Sequence, residues 1–330
     1  MRSKQLLRGF IRATCGVLAC FGLLVPAAQA QVPYPNKPVR ILVGFSAGGA
    51  TDVIARLLAK EMTEDLGQSV VVENKPGAGS NIAAESVVRS APDGYTLFMM
   101  AVTNAINQTL YPNLKFDVIK DFSPIGLAAK VPNLMVVNLK VPANSVQELI
   151  DYAKKNPGAL NFASSGAGTS IHMTGELFKF QTKLDIPHIP YKGSAPALTD
   201  LVGGQVQLMF DNMPTAWPLV QAGKLRALAV TSPQRAAVAP DIPTMAESGF
   251  PGFDVSSWFG LAAPAGTPKE IIEKLNASMN KALTKTEVQK RLADLGATNG
   301  AGTVAQFTQF IQSETTTWGA VVKGAGVKAD

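Results

Sequence analysis

Two stretches of small residues hold the most readable chemistry in this sequence. Phe45-Ser46-Ala47-Gly48-Gly49-Ala50-Thr51-Asp52 stands between a strand-like run and a helix-like one. Ser164-Ser165-Gly166-Ala167-Gly168-Thr169-Ser170 stands in the same setting further along. The first turn of a helix has N–H groups without intrahelical partners and the positive end of the helix dipole. Glycine lets a ligand come close to that backbone, so such a junction can hold an anion. Hydroxyls beside helix N–H groups suit a carboxylate, which needs several acceptor positions filled. The same residues also read as plain turns, with Asp52 as a first-turn dipole partner and Thr169 or Ser170 as an N-cap. The first loop is not a P-loop, because no Lys-Ser/Thr follows its glycines, and it lacks G-x-G-x-x-G spacing. Gly77-Ala78-Gly79-Ser80 fails the dinucleotide pattern at Ile82 and reads as a structural turn.

Other reactive types are sparse. His172 and His188 are the only histidines, 16 residues apart, too few for a zinc site of the usual kind. His172 lies one turn into the helix after the second loop, where it either borders a ligand or packs. No G-x-S-x-G elbow marks a serine hydrolase. Asn104 and Asp211-Asn212 each follow a strand-like run, and ligands of open α/β sheets sit at the carboxyl ends of strands. These positions are candidate polar contacts or ordinary turn formers. Trp217, Trp258 and Trp318 read as packing residues, with Trp258 the one to check beside a ligand.

The elements that must position these loops alternate. Val39–Gly44, Val70–Glu73 and Tyr95–Met100 read as strands, separated by helices carrying Val53, Ile54, Leu57, Leu58 and Met62 on one face and by a second helix through Val88. After Pro132 the pattern restarts: strand Leu134–Asn138, helix Ser145–Lys155, strand Leu160–Ala163, then the second loop and a helix to about Phe180. Further units are Ile186–Pro190, Ala195–Val202, Val206–Phe210 and Leu225–Val230, with a strand over Val255–Ala263. Helices over Pro268–Leu283, Glu287–Leu295 and Val304–Val322 close the chain. Such alternation predicts an α/β fold with a parallel sheet covered on both faces. About 300 residues exceed the usual size of one core, so two lobes are expected.

Residues 1–30 read as a secretory signal peptide: Arg2, Lys4, Arg8 and Arg12, an apolar run from Ala13 to Val25, and Ala28-Gln29-Ala30 before a cut after Ala30. The apolar run is too short to span a bilayer. Lipidation at Cys20 is the competing reading, for which Leu18 is a poor fit. Removing the leader takes four basic residues and no acid, so the net charge falls from +6 to +2. A charge that small, without basic runs among aromatics, speaks against nucleic acid. Both cysteines, Cys15 and Cys20, lie in the leader, which excludes thiolate chemistry and disulfides from the exported part.

Several strings resemble one family in order along almost the whole exported chain. They are Tyr34-Pro35-Asn36-Lys37-Pro38-Val39-Arg40, Phe45-Ser46-Ala47-Gly48-Gly49, Val71-Val72-Glu73-Asn74-Lys75-Pro76-Gly77-Ala78-Gly79, Pro92-Asp93-Gly94-Tyr95-Thr96-Leu97, His188-Ile189-Pro190-Tyr191-Lys192-Gly193, Ala222-Gly223-Lys224-Leu225-Arg226-Ala227-Leu228-Ala229 and Ala263-Pro264-Ala265-Gly266-Thr267-Pro268. The sequence is similar to the Bug family (UPF0065), the periplasmic receptors of tripartite tricarboxylate transporters. The resemblance implies a type II periplasmic-binding-protein fold, with two α/β lobes, a hinge and an interlobe ligand cleft. Lobe 1 would comprise 31–128 plus 251–330, and lobe 2 129–250. It further implies a monomer without cofactor, metal or catalysis, which takes a di- or tricarboxylate, an acidic amino acid or an aromatic acid to a membrane permease. Carried onto this chain, the ligand contacts are Phe45, Ala47, Gly48, Gly49 and Asp52, then Ser164, Ser165, Gly166 and Thr169, with Asn104 and Asp211 at the far end. Asp211 would suit an amine or hydroxyl on the ligand. The family often has proline before the phenylalanine, and here it is Gly44. Two other readings stay open: a sensor that presents its ligand to a signalling kinase, and an exported hydrolase on a similar fold.

Overall fold

The computed structural model describes residues 33–325 and residue 327. The leader, the cut after Ala30 and Cys20 fall outside them. The chain runs β1 (Val39–Val43), α1 (Ala50–Leu66), β2 (Val70–Asn74), α2 (Asn81–Val88), β3 (Thr96–Ala101), α3 (Val102–Leu110), β4 (Phe122–Asn138), α4 (Val146–Lys155), β5 (Phe162–Ser164) and α5 (Ser170–Thr182). It continues with β6 (His188–Pro190), α6 (Ser194–Gly203), β7 (Leu208–Asn212), α7 (Met213–Gln221), β8 (Leu225–Val230), β9 (Ser256–Pro264), α8 (Lys269–Thr284), α9 (Thr286–Asp294), β10 (Thr298–Asn299) and α10 (Val304–Ala325).

The sheet order is β2-β1-β3-β9-β4-β7-β5-β6, with β8 and β10 also paired to β4. β1 pairs in parallel with β2 and β3, and β5 with β6 and β7. The middle is antiparallel: β9 against β3 and β4, and β4 against β7 and β8. The predicted parallel sheet is therefore corrected to a mixed one. The reason lies in β4, a 17-residue strand whose first half the alternation did not reveal. Pro124, Gly126 and Pro132 interrupt its pattern, and register shifts at Pro124/Gly126 and Leu127/Ala129 absorb them. Antiparallel pairing with β9 needs no crossover helix on that side.

β4 changes partners along its length. Phe122–Pro132 pair with β9, whereas Asn133–Asn138 pair with β7 and β8. The returning chain does the same: the Val255 N–H reaches Thr231 O at 3.3 Å, and Ser256 opens β9 opposite Pro132. Two groups of strands are thus joined at Pro132–Asn133 and Val255–Ser256. Successive residues of β4 point to opposite faces. Met135 and Val137 accordingly pack with Phe162, Phe178 and Phe210, while Leu134 and Val136 pack with Ile171, Met209 and Met213. The first group has its own core around Phe98, Phe122, Trp258 and Phe307. Trp258 belongs to that core: it is 2% exposed, and its Nε1–H donates to Glu314 Oε2 at 2.8 Å.

Candidate functional site

Each loop owes its shape to side chains behind it. In the first, Gly48 turns with φ +83°, and Gly49 caps α1. The Asp52 carboxylate accepts from Gly48 N–H at 3.0 Å, Arg56 Nε at 2.9 Å and Asn74 Nδ2 at 2.8 Å. Burial pushes the Asp52 pKa up. The hydrogen bonds from Arg56, Gly48 and Asn74 together outweigh it and hold the group below its ordinary value. Asp52 folds the loop from behind and does not line the cavity. Gly44 answers to the same crowding: a Cβ there would stand 1.9 Å from Ser80 Oγ and 2.7 Å from Ser80 Cα. Neither alanine nor proline fits beside Ser80 as it stands.

In the second loop, Ser164 Oγ accepts from Gly166 N–H at 3.1 Å and lies 2.6 Å from His188 Nε2. Thr169 Oγ1 donates to Gly166 O at 2.8 Å and accepts from His172 N–H at 3.2 Å, which makes it the N-cap of α5. Gly168 N–H donates to His172 Nδ1 at 3.2 Å, so that nitrogen is an acceptor. The two imidazoles stack with centroids 4.1 Å apart, and both rings stack with Phe162. Both histidines therefore brace the loop. Among the described residues no cluster of three or more His, Cys, Asp or Glu is arranged to hold a metal.

The loops meet at one narrow cavity. Phe45, Gly49, Ser165 and Thr169, expected from sequence, line it. Ala47, Gly48, Asp52, Asn104, Ser164, Gly166 and Asp211 do not. Ala47 and Gly48 are exposed. Asn104 is buried, and its Oδ1 accepts from Ala101 N–H at 3.0 Å. Asp211 is buried completely, accepting from Ser194 Oγ at 2.5 Å and from the Thr215 hydroxyl. Burial pushes its pKa up to about 6 against the lowering effect of Ser194, Thr215 and the Asn212 N–H.

Asn212, named from sequence as a candidate polar contact, caps α7 and lines the cavity. Sequence reading missed Thr103 in the first turn of α3, Ser194 opening α6 and Ser257 on β9, which also line it. With α1 and α5, five helices begin there. The first helical bonds of α1 and α5 are Val53 N–H to Gly49 O and Met173 N–H to Thr169 O, both 2.9 Å. The N–H groups of Ala50, Thr51, Ser170 and Ile171 precede them, in the region where helix donors lack intrahelical acceptors. Among the described lining residues none is lysine or arginine. Helix N-termini thus supply partial positive charge to the cavity without a formal cation among the described lining residues. The signal for Ser194 was present in Lys192-Gly193-Ser194, where Gly193 takes φ +146° to start α6.

Residues 54–327 match the model of the tripartite tricarboxylate transporter family receptor. The chain belongs to that family. BugT of Bordetella pertussis is 39% identical over 319 residues, covering 94% of this chain and 98% of its own. The solved periplasmic binding protein BugD superposes with a TM-score of 0.87 at 38% identity, over 90% of this chain and all of BugD. An R. palustris protein solved with adipate gives 0.87 at 39% identity over 90% of this chain, and MatC from Rhodopseudomonas palustris with bound malate gives 0.84 at 37% over 88%, each covered completely. The fold is that of the two-lobed periplasmic binding proteins, and the family is one of solute-binding proteins and not of enzymes.

Proposed function

We propose that this protein captures one small organic acid between two lobes and delivers it to a membrane permease of the tripartite tricarboxylate type. The observation that carries the reading is the convergence of five helix N-termini and several hydroxyls on one cavity whose described lining residues include no lysine or arginine. Partial charges of this kind hold a carboxylate without the desolvation cost of a buried ion pair. The family membership and the relatives solved with adipate and malate support the acid class. The lobes divide where β4 and β9 exchange partners, at Pro132–Asn133 and Val255–Ser256, and those two crossings act as the hinge. These crossings lie a few residues from the boundaries expected near Ala128 and Pro251.

The test is thermal denaturation against a broad carboxylate panel, combined with native mass spectrometry of protein purified from periplasm. One acid should raise the melting temperature saturably and be recovered unchanged. No shift across the panel, or a chemically converted ligand, defeats the reading. Gly49→Glu should abolish binding with the fold intact. A Cβ at Gly49 meets nothing nearer than Ser46 O at 3.5 Å, and the added carboxylate would occupy the anion's place.

A further inference from the structure

Hydroxyls on two sides of the cavity wall differ in hydrogen-bond polarity, and buried residues behind them impose it. On one side stand Ser170 and Ser257. Thr174 Oγ1 gives its proton to Ser170 O at 2.7 Å, so it can only accept from Asn133 Nδ2, 2.8 Å away. That fixes the Asn133 amide with Oδ1 toward Asn212, whose Nδ2 donates to it at 2.6 Å and to Ser257 Oγ at 2.8 Å. Ser257 Oγ and Ser170 Oγ lie 2.5 Å apart, and either can donate to the other. Two hydroxyls hold two protons; one spans the pair, and the other is left to point into the cavity, which both residues line. These residues are all buried, and Asn133 and Ser257 sit at the two strand crossings. Ser194 is set the other way. An ionised carboxylate accepts only, so the 2.5 Å contact makes Ser194 Oγ the donor to Asp211. With its proton committed, Ser194 offers the cavity lone pairs alone.

We infer that this preset polarity makes the cavity select organic acids that carry a hydroxyl: the free proton of the Ser170–Ser257 pair, with the helix N–H groups, takes the carboxylate, and Ser194, held by Asp211, accepts the ligand's hydroxyl proton. The inference rests on the carboxylate-binding reading above. Asp211 is a positioning residue that acts through Ser194, buried out of the ligand's reach. A bare carboxylate placed against Ser194 meets oxygen with no proton between, which is repulsive.

Isothermal titration with matched acids tests this: succinate against the two malate enantiomers, and benzoate against its three monohydroxy derivatives. The tightest binder should be a hydroxy acid, about tenfold tighter than its bare counterpart, the size of one hydrogen bond to a committed partner. Ser194→Ala should bring that ratio to about one, chiefly by weakening the hydroxy acid. Asp211→Leu, close to Asp in shape, should do the same without touching the ligand, because the Ser194 hydroxyl is then free to turn. Asn133→Leu should weaken both acids of a pair and keep their ratio. A bare acid that binds as tightly as its hydroxy partner, or a ratio that survives Ser194→Ala, overturns the inference while leaving carboxylate binding intact. If none of these acids, nor any in the wider panel, binds, the parent reading fails and this one with it.

Discussion

Gly168→Ala offers a quantitative handle on closure. Gly168 lies in the second loop with φ +78°, and a Cβ there would stand 2.1 Å from Asn107 Oδ1 and 2.9 Å from Leu110 Cδ2. Both of those residues belong to α3, in the other group of strands and helices. Asn107 cannot swing aside freely, since its Nδ2 donates to Gly79 O at 2.8 Å and to Asn81 Oδ1 at 2.9 Å. The substitution has two costs that separate on opening. Left-handed backbone for alanine costs roughly 1–2 kcal/mol in open and closed forms alike, so it lowers the stability of the ligand-free protein and cancels from binding. Overpacking costs about 1–3 kcal/mol and is felt only when the lobes are shut. At 1.36 kcal/mol per factor of ten, affinity should fall about 5- to 160-fold. Chemical denaturation without ligand and titration of the identified acid measure the two separately. Gly300→Ala is the control: its Cβ would stand 2.7 Å from Leu127 Cγ, inside one group and away from the cavity lining, so stability should fall while the affinity of folded protein holds. An unchanged Kd for Gly168→Ala, or the whole loss appearing in ligand-free stability, would refute the hinged closure.

Gly44→Ala should displace Ser80 and destabilise the protein by about 1–3 kcal/mol, read by urea unfolding; a neutral result would mean that the Gly77–Ser80 turn moves freely. Asp52→Asn should lower stability at pH 7. The folded pKa of Asp52 is depressed, so its contribution is fully present above the unfolded value of about 3.9 and is lost as pH falls through the folded one. Melting curves of parent and variant should therefore converge on acidification below about pH 4, and a gap that widens instead would contradict the assigned hydrogen bonds.

Much of the architecture was legible because it follows local rules. Strand, glycine and helix succeed one another at Val39–Leu66 and Phe162–Thr182, and both loops emerged as helix starts. The antiparallel centre was not legible, because prolines and bulges mask the first half of β4 and its pairing with β9 spans more than 120 residues of sequence. At the site, types and spacing exposed Phe45, Gly49, Ser165 and Thr169. They did not separate residues that line the cavity from those that brace it. Asp52, Ser164 and Asp211 have the right chemistry, yet their hydrogen bonds turn to the backbone and to neighbouring hydroxyls. Conversely, Thr103, Ser194 and Ser257 are ordinary in sequence and reach the cavity only through tertiary packing.

A crystal structure of the protein with its co-purified ligand tests the central claim most directly. The account predicts one organic acid in the cavity, its carboxylate oxygens within hydrogen-bond distance of the N–H groups that open α1 and α5 and of the Ser170 or Ser257 hydroxyl, with no lysine or arginine in contact. A ligand held elsewhere, or one whose carboxylate is neutralised by a cationic side chain, would contradict it.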